Sequence, residues 1–103
     1  MSITTASITT TGNVAYTSSG NTAITWLSLN NWGPGNVTAN LYVVPNGNSA
    51  STSNQVYYTL LLQSGDTYQI YQANEKLILG NGDTVQVTST GNTVTAVTSY
   101  TSI

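Results

Sequence analysis

The chain reads as an all-β protein, an antiparallel two-sheet β-sandwich of jelly-roll or Ig-like type with about eight strands. Three observations predict this. Composition is the first: 19 Thr, 12 Ser and 12 Asn stand among Val, Ile, Leu and Tyr, Phe is absent and Ala is scarce. Thr, Val, Ile and Tyr fit a pleated, half-buried surface, whereas Asn, Ser and Gly supply turns. Spacing is the second, because strand-like runs recur about every ten residues, the cadence of a sandwich or barrel. Punctuation is the third: Thr11-Gly12-Asn13, Ser19-Gly20-Asn21, Pro45-Asn46-Gly47-Asn48, Ser64-Gly65-Asp66, Gly80-Asn81-Gly82-Asp83 and Thr90-Gly91-Asn92 bound the runs. Gly and Asn tolerate the positive φ that tight hairpin turns require.

Taken in order, residues 3–9 form a Thr/Ser/Ile run. Residues 1–12 are expected either as a first strand or as an arm that pairs with a neighbouring subunit, and residues 13–103 as one sandwich domain. The run 13–17 follows the first Gly-Asn turn. In the run 22–29, Leu27 and Leu29 share a face opposite Trp26. Residues 30–36, Asn-Asn-Trp-Gly-Pro-Gly-Asn, make a loop stiffened by Pro34 and carrying Trp32. The run 37–44 sets Leu41 and Val43 against Tyr42 and Val44. Residues 46–54 are low in complexity and are expected as a mobile loop. The run 55–63 contains Val56-Tyr57-Tyr58-Thr59-Leu60-Leu61-Leu62, apolar on both faces. It is either covered on both sides or has its outer face in a subunit interface. Strands 67–71, 76–79, 84–89 and 93–100 complete the set. Leu77 and Leu79 oppose Lys76 and Ile78, and Val85 and Val87 oppose Thr84, Gln86 and Thr88. The expected core is Leu27, Leu29, Leu41, Val43, Leu60, Leu62, Ile70, Leu77, Leu79, Val85, Val87 and Val97.

A chain of 103 residues buries about two-thirds of its unfolded surface, enough for a two-layer core without metals or disulfides. Its charge is unusual. Asp66, Glu75, Lys76 and Asp83 are the only charged side chains, 4% of the sequence, and Cys, His and Arg are absent. Globular domains carry about 25%. A surface so neutral points either to coverage by other subunits, the preferred reading, or to hydroxyls and amides alone keeping the chain dissolved. One Lys cannot neutralise a run of phosphates, so nucleic acid is excluded as a partner. No apolar run is long enough for a membrane helix, and Met1-Ser2-Ile3-Thr4-Thr5 has neither the basic nor the apolar region of a secretory signal. Synthesis in the cytoplasm without a membrane partner is the expectation.

Catalysis starts far behind. Without His no Ser is activated in the usual way, and a Ser/Lys dyad would need Lys76, which follows Glu75 in an expected turn. Without His and Cys no transition-metal site forms, and Gly80-Asn81-Gly82-Asp83 precedes a strand rather than a phosphate-binding helix. Asp66 and Asp83 each follow Gly and each open a strand, which would bring both to one end of the sandwich. There they could form a carboxylate pair or a calcium site, but a Gly-Asp turn also needs its carboxylate to bond local main chain, and that reading is preferred. No catalytic residue, metal or cofactor is expected. The side chains with most to offer a partner are aromatic: Trp26, Trp32, Tyr42 and Tyr57, as subunit contacts or as platforms on which a sugar ring stacks.

The order of motifs resembles small bacteriophage virion proteins. Thr22-Ala23-Ile24, Asn31-Trp32-Gly33, Leu62-Gln63-Ser64-Gly65-Asp66-Thr67, Leu79-Gly80-Asn81-Gly82-Asp83-Thr84-Val85-Gln86-Val87 and Thr98-Ser99-Tyr100 carry the resemblance, which spans residues 13–101. At the end Thr101-Ser102-Ile103 stands where an acid often closes the last strand. The resemblance implies a β-sandwich without enzymatic activity, located on the virion. A capsid decoration or cement subunit contacting the major capsid protein, other virion proteins or its own copies comes first. A tail, neck or fibre-base component and a carbohydrate-binding module for host attachment are the alternatives.

Overall fold

A computed structural model describes residues 2–71 and 77–103, for Tyr71 the main chain only. Nine strands form among these residues: β1 (Ser2–Ile8), β2 (Asn13–Thr17), β3 (Thr22–Asn31), β4 (Val37–Val44), β5 (Gln55–Leu62), β6 (Thr67–Tyr71), β7 (Leu77–Leu79), β8 (Thr84–Ser89) and β9 (Val94–Ser102). One 3-10 turn, Thr52–Asn54, stands before β5. Glu75 and Lys76, with the dyad and the strand start assigned to Lys76, lie outside the described residues.

All pairings are antiparallel, and their order settles the topology. Pairs β4·β5, β3 with β6 and β7, β2·β8 and β1·β9 nest as rungs of one long hairpin. Wrapping that hairpin inserts β9 between β1 and β3, and β8 between β2 and β4. One sheet therefore runs β1-β9-β3-β6, with β7 also beside β3, and the other runs β2-β8-β4-β5. This is the double Greek key of a jelly roll; the immunoglobulin order divides its strands between the sheets differently. β6 lies along Leu27–Asn30 of β3 and β7 along Thr22–Ile24, so together they fill one of eight strand positions.

Inner faces follow from period-two alternation. Ile24, Leu27 and Leu29 of β3, Leu41 of β4, Leu62 of β5, Leu79 of β7 and Val85 and Val87 of β8 are buried, with Ile70 of β6. Val43, Leu60 and Leu77 are partly buried against them. The expected core is corrected at Val97: Ala96 and Thr98 are the inward residues of β9, so Val97 between them faces out. The core also takes Ile8, Ala15, Tyr16, Val37, Ala39, Val94 and Ala96.

Three local differences have physical causes. Strand β3 continues two residues past Leu29, since Asn30 and Asn31 still pair with Thr95 and Val94. Residues 46–54 carry hydrogen bonds at both ends. Asn48 N–H closes a turn on Pro45 O, and the Ser51 hydroxyl and Asn54 amide form a reciprocal cap around the 3-10 turn. Asn and Ser supply the caps that a low-complexity reading treats as slack. Residues 2–8 lie in this chain's own sheet, in register with β9 from Ser2↔Tyr100 to Ile8↔Val94.

Candidate functional site

Four loops meet at one end of the sandwich, and a single buried side chain ties three of them. Asn31 at the end of β3 shares the inward phase of Leu27 and Leu29 and has no exposed surface. Its Nδ2 donates to Gly35 O (2.7 Å) and Leu62 O (3.0 Å), and its Oδ1 accepts from Gly33 N–H (3.1 Å) and the Thr93 hydroxyl (2.7 Å). Every hydrogen-bonding position of the amide is filled. Its main chain also donates to Asp66 O and accepts from Gly65 N–H. The β3–β4, β5–β6 and β8–β9 loops are thus fixed to one another. Thr10 N–H, donating to Asn92 Oδ1, adds the β1–β2 loop.

On this end stands Trp32, 63% exposed. Its loop is held at both sides: Trp32 N–H donates to Thr93 O, and the Ser64 hydroxyl donates to Gly33 O at 2.6 Å. Glycine is required at position 33, because a β-carbon would come within 2.6 Å of the Thr93 side chain. The indole is uncovered on a fixed support.

The two aspartates do not meet, which corrects the expectation of a shared end. Asp66 O accepts Asn31 N–H at the far end of β3, whereas Asp83 O accepts Ser18 N–H near its start. The ten residues of β3 hold these ends roughly 30 Å apart. Counting 67–71 and 76–79 as two crossings brings the aspartates together. Because β6 and β7 lie along β3 as one interrupted strand, the chain crosses once. Each carboxylate instead closes its own turn, Asp66 Oδ2 accepting Gln63 N–H (3.0 Å) and Asp83 Oδ2 accepting Gly80 N–H (2.8 Å). In both turns a glycine occupies the third position at φ near +83°, Gly65 and Gly82.

The remaining aromatic candidates are dispersed. Trp26, half-buried, lies on the outer face of the β1-containing sheet, opposite Ser99 and next to a register shift. Tyr42 is half-buried on the outer face of the other sheet, paired with Gln86. Tyr57 points inward against the core, its ring edge-on to Tyr68 at 5.6 Å. The exposed side chains of β5 are its neighbours: Tyr58 at 69%, Leu61 at 53% and Val56 at 44%. With these outward side chains exposed, this chain covers β5 on its inner face only, and the reading in which both faces are covered by its own chain is overturned.

That strand is also irregular. Asn40 of β4 faces two residues of β5, since Ala39 pairs with Leu60 and Leu41 with Tyr57. The extra residue, Thr59, has φ +51°, a left-handed conformation rare for a β-branched side chain. Asn40 Oδ1 accepts the N–H of Thr59 at 2.8 Å, so the bulge keeps its donor satisfied.

Among the described residues no group of three or more His, Cys, Asp or Glu could hold a metal ion. What the surface offers is an apolar stripe on β5, an indole on a fixed end loop and scattered apolar side chains, Ile3, Val14, Ile78 and Ile103, in a polar surround. Compared with known protein families, curated proteins and solved structures, the chain matches none.

Proposed function

We propose that this chain is a non-enzymatic virion structural subunit, most specifically a bacteriophage capsid decoration or cement protein used in many copies. The observation that carries the reading is the outer side of β5, where Val56, Tyr58 and Leu61 are exposed together on a sheet edge. Such a stripe costs solvation unless a partner covers it, and aromatic and aliphatic anchors of this kind dominate subunit contacts. A surface with so few charges supports the same reading, as does a jelly roll, an architecture used by capsid and lectin domains. The phage assignment itself rests on the motif resemblance. The major capsid protein or a second copy is the partner, and repetition over a lattice makes weak single contacts sufficient.

Antibody labelling of purified virions under the electron microscope tests the location. Even label over the head supports decoration, label confined to the tail or a vertex moves the role to a tail, neck or fibre-base part, and no label on any particle sinks the virion reading. Changing Tyr58 and Leu61 to Ser should leave the fold intact and abolish incorporation into particles.

One observation favours a second reading. Trp32 stands exposed on a loop fixed by hydrogen bonds, an arrangement that suits stacking on a sugar ring and supports a carbohydrate-binding role in host attachment as the alternative. Loss of glycan retention in Trp32→Ala, with incorporation unchanged, would favour that reading.

A further inference from the structure

The chain contains two Asn-Gly pairs, Asn46-Gly47 and Asn81-Gly82, both at the end of the sandwich opposite Trp32. An asparagine followed by glycine is chemically vulnerable, since without a Cβ the next main-chain nitrogen reaches the amide carbon with little hindrance. Both asparagines are exposed, so solvent access does not distinguish them.

Hydrogen bonding does. The attacking nitrogen of the second pair is occupied, Gly82 N–H donating to Ser18 O at 2.9 Å, and the target amide is held, Asn81 Oδ1 accepting Gly20 N–H at 2.9 Å. In the first pair neither Gly47 N–H nor the Asn46 amide has a hydrogen-bond partner among the described residues. Gly47, at φ +86°, has open space around its Cα. The main-chain N–H of Asn46 is fixed by Asp83 Oδ1 at 2.8 Å, and its side-chain amide rests against Gly82 without a hydrogen bond to hold it.

We propose that Asn46 is a built-in site of spontaneous deamidation, and that the fold protects Asn81. The Gly47 nitrogen attacks Asn46 Cγ, and the new N–Cγ bond closes a five-membered imide. The side-chain nitrogen leaves as ammonia, carrying the proton that Gly47 N–H gives up. Water then opens the ring at either carbonyl, leaving aspartate or isoaspartate. No oxidant or reductant takes part. The product places a second carboxylate beside Asp83 and takes the formal charge of the chain from −2 to −3. Like charges repel there, and the tie between the β4–β5 and β7–β8 loops weakens. The inference does not depend on the virion reading.

Peptide mapping by mass spectrometry, after incubation at mildly alkaline pH, tests it. The folded chain and the chain unfolded in urea are followed until the unfolded sample has converted at both sites. In the folded chain Asn81 should convert about thirtyfold more slowly than Asn46, the factor expected from two protecting hydrogen bonds of ordinary net strength. In urea the two rates should converge. Equal rates in the folded chain, or conversion at Asn46 only in urea, would overturn the proposal. Asn46→Asp supplies the product charge directly and should lower thermal stability, as ageing of the native chain does.

Discussion

Replacing Asn31 with Ala is the sharpest test of how this fold is held at its loop end. The substitution removes four side-chain hydrogen bonds. Two of the abandoned partners, Leu62 O and Gly33 N–H, are in buried bonds; Gly35 O and the Thr93 hydroxyl are partly exposed and can recover water. A buried group left unpaired costs about 1–3 kcal/mol, so the sum is about 3–5 kcal/mol once partial relaxation is allowed. Whole domains have about 5–15 kcal/mol of stability, and the loss should lower Tm by about 12–20 °C. Urea unfolding followed by circular dichroism, with a thermal melt, measures both. The control is Asn30→Ala: its amide bonds Asp66 O and Thr67 Oγ1 at an exposed site, and the expected loss is under about 1 kcal/mol. Asn31→Asp should be worse than Ala at neutral pH, because a carboxylate would face two carbonyl oxygens with no proton to offer. Burial raises the pKa of that acid above its unfolded value of about 3.9, so its penalty should be smallest below that pH and grow as pH rises through the raised value. A loss under about 1 kcal/mol for Asn31→Ala, or equal losses at positions 30 and 31, would refute the reasoning.

Two further substitutions follow. Gly33→Ala drives a methyl into Thr93 and so displaces the hydroxyl that binds Asn31; it should destabilise by about 2 kcal/mol and combine less than additively with Asn31→Ala in a double-mutant cycle. Thr98 is fully buried with its hydroxyl unpaired among the described residues, so Thr98→Val, which keeps the shape and removes the polar atom, should raise the urea midpoint by up to about 1 kcal/mol of stability.

Strands were legible because their signals are local. Alternation of Val85 and Val87 with Thr and Gln, and a Gly beside each turn, need no knowledge of partners. Jelly-roll against immunoglobulin order depends on which distant strands pair, and β1 with β9 joins residues more than eighty apart, where no local pattern reaches. Asn31 was missed although its signal was present: it continues the phase of Leu27 and Leu29, so the same alternation that buries them buries it. An amide in an Asn-x-Gly motif reads as turn chemistry, which masks an inward phase that continues two residues past Leu29. Val97 failed for the opposite reason, since the inward residues of β9 beside it are Ala and Thr, which carry little hydrophobic signal. The turn role preferred for the aspartates is the one they take, and only their shared end failed, on topology, as β6 and β7 look like two strands in sequence and act as one in the sheet.

The sandwich must also keep its edges from pairing with other chains, and it has almost no charge for the purpose. Edge strands are commonly guarded by Lys, by Pro, by bulges or by brevity. Here geometry does the guarding. β2 is bulged between Val14 and Tyr16, β5 between Leu60 and Tyr57 with Thr59 at positive φ, β6 shifts register beside Leu27, and β7 has three residues. β1 is the exception: seven residues, no charge, and a continuous register with β9. Strand addition at high concentration should therefore run through β1, separately from side-chain docking on β5. Thr5→Lys with Ser7→Lys, two exposed positions of β1, should delay concentration-dependent association in sedimentation velocity and leave the melting temperature within a few degrees. Val14→Lys on the bulged β2 should change neither. Equal protection from both would mean that added charge, and not the continuity of an edge, governs association in this chain.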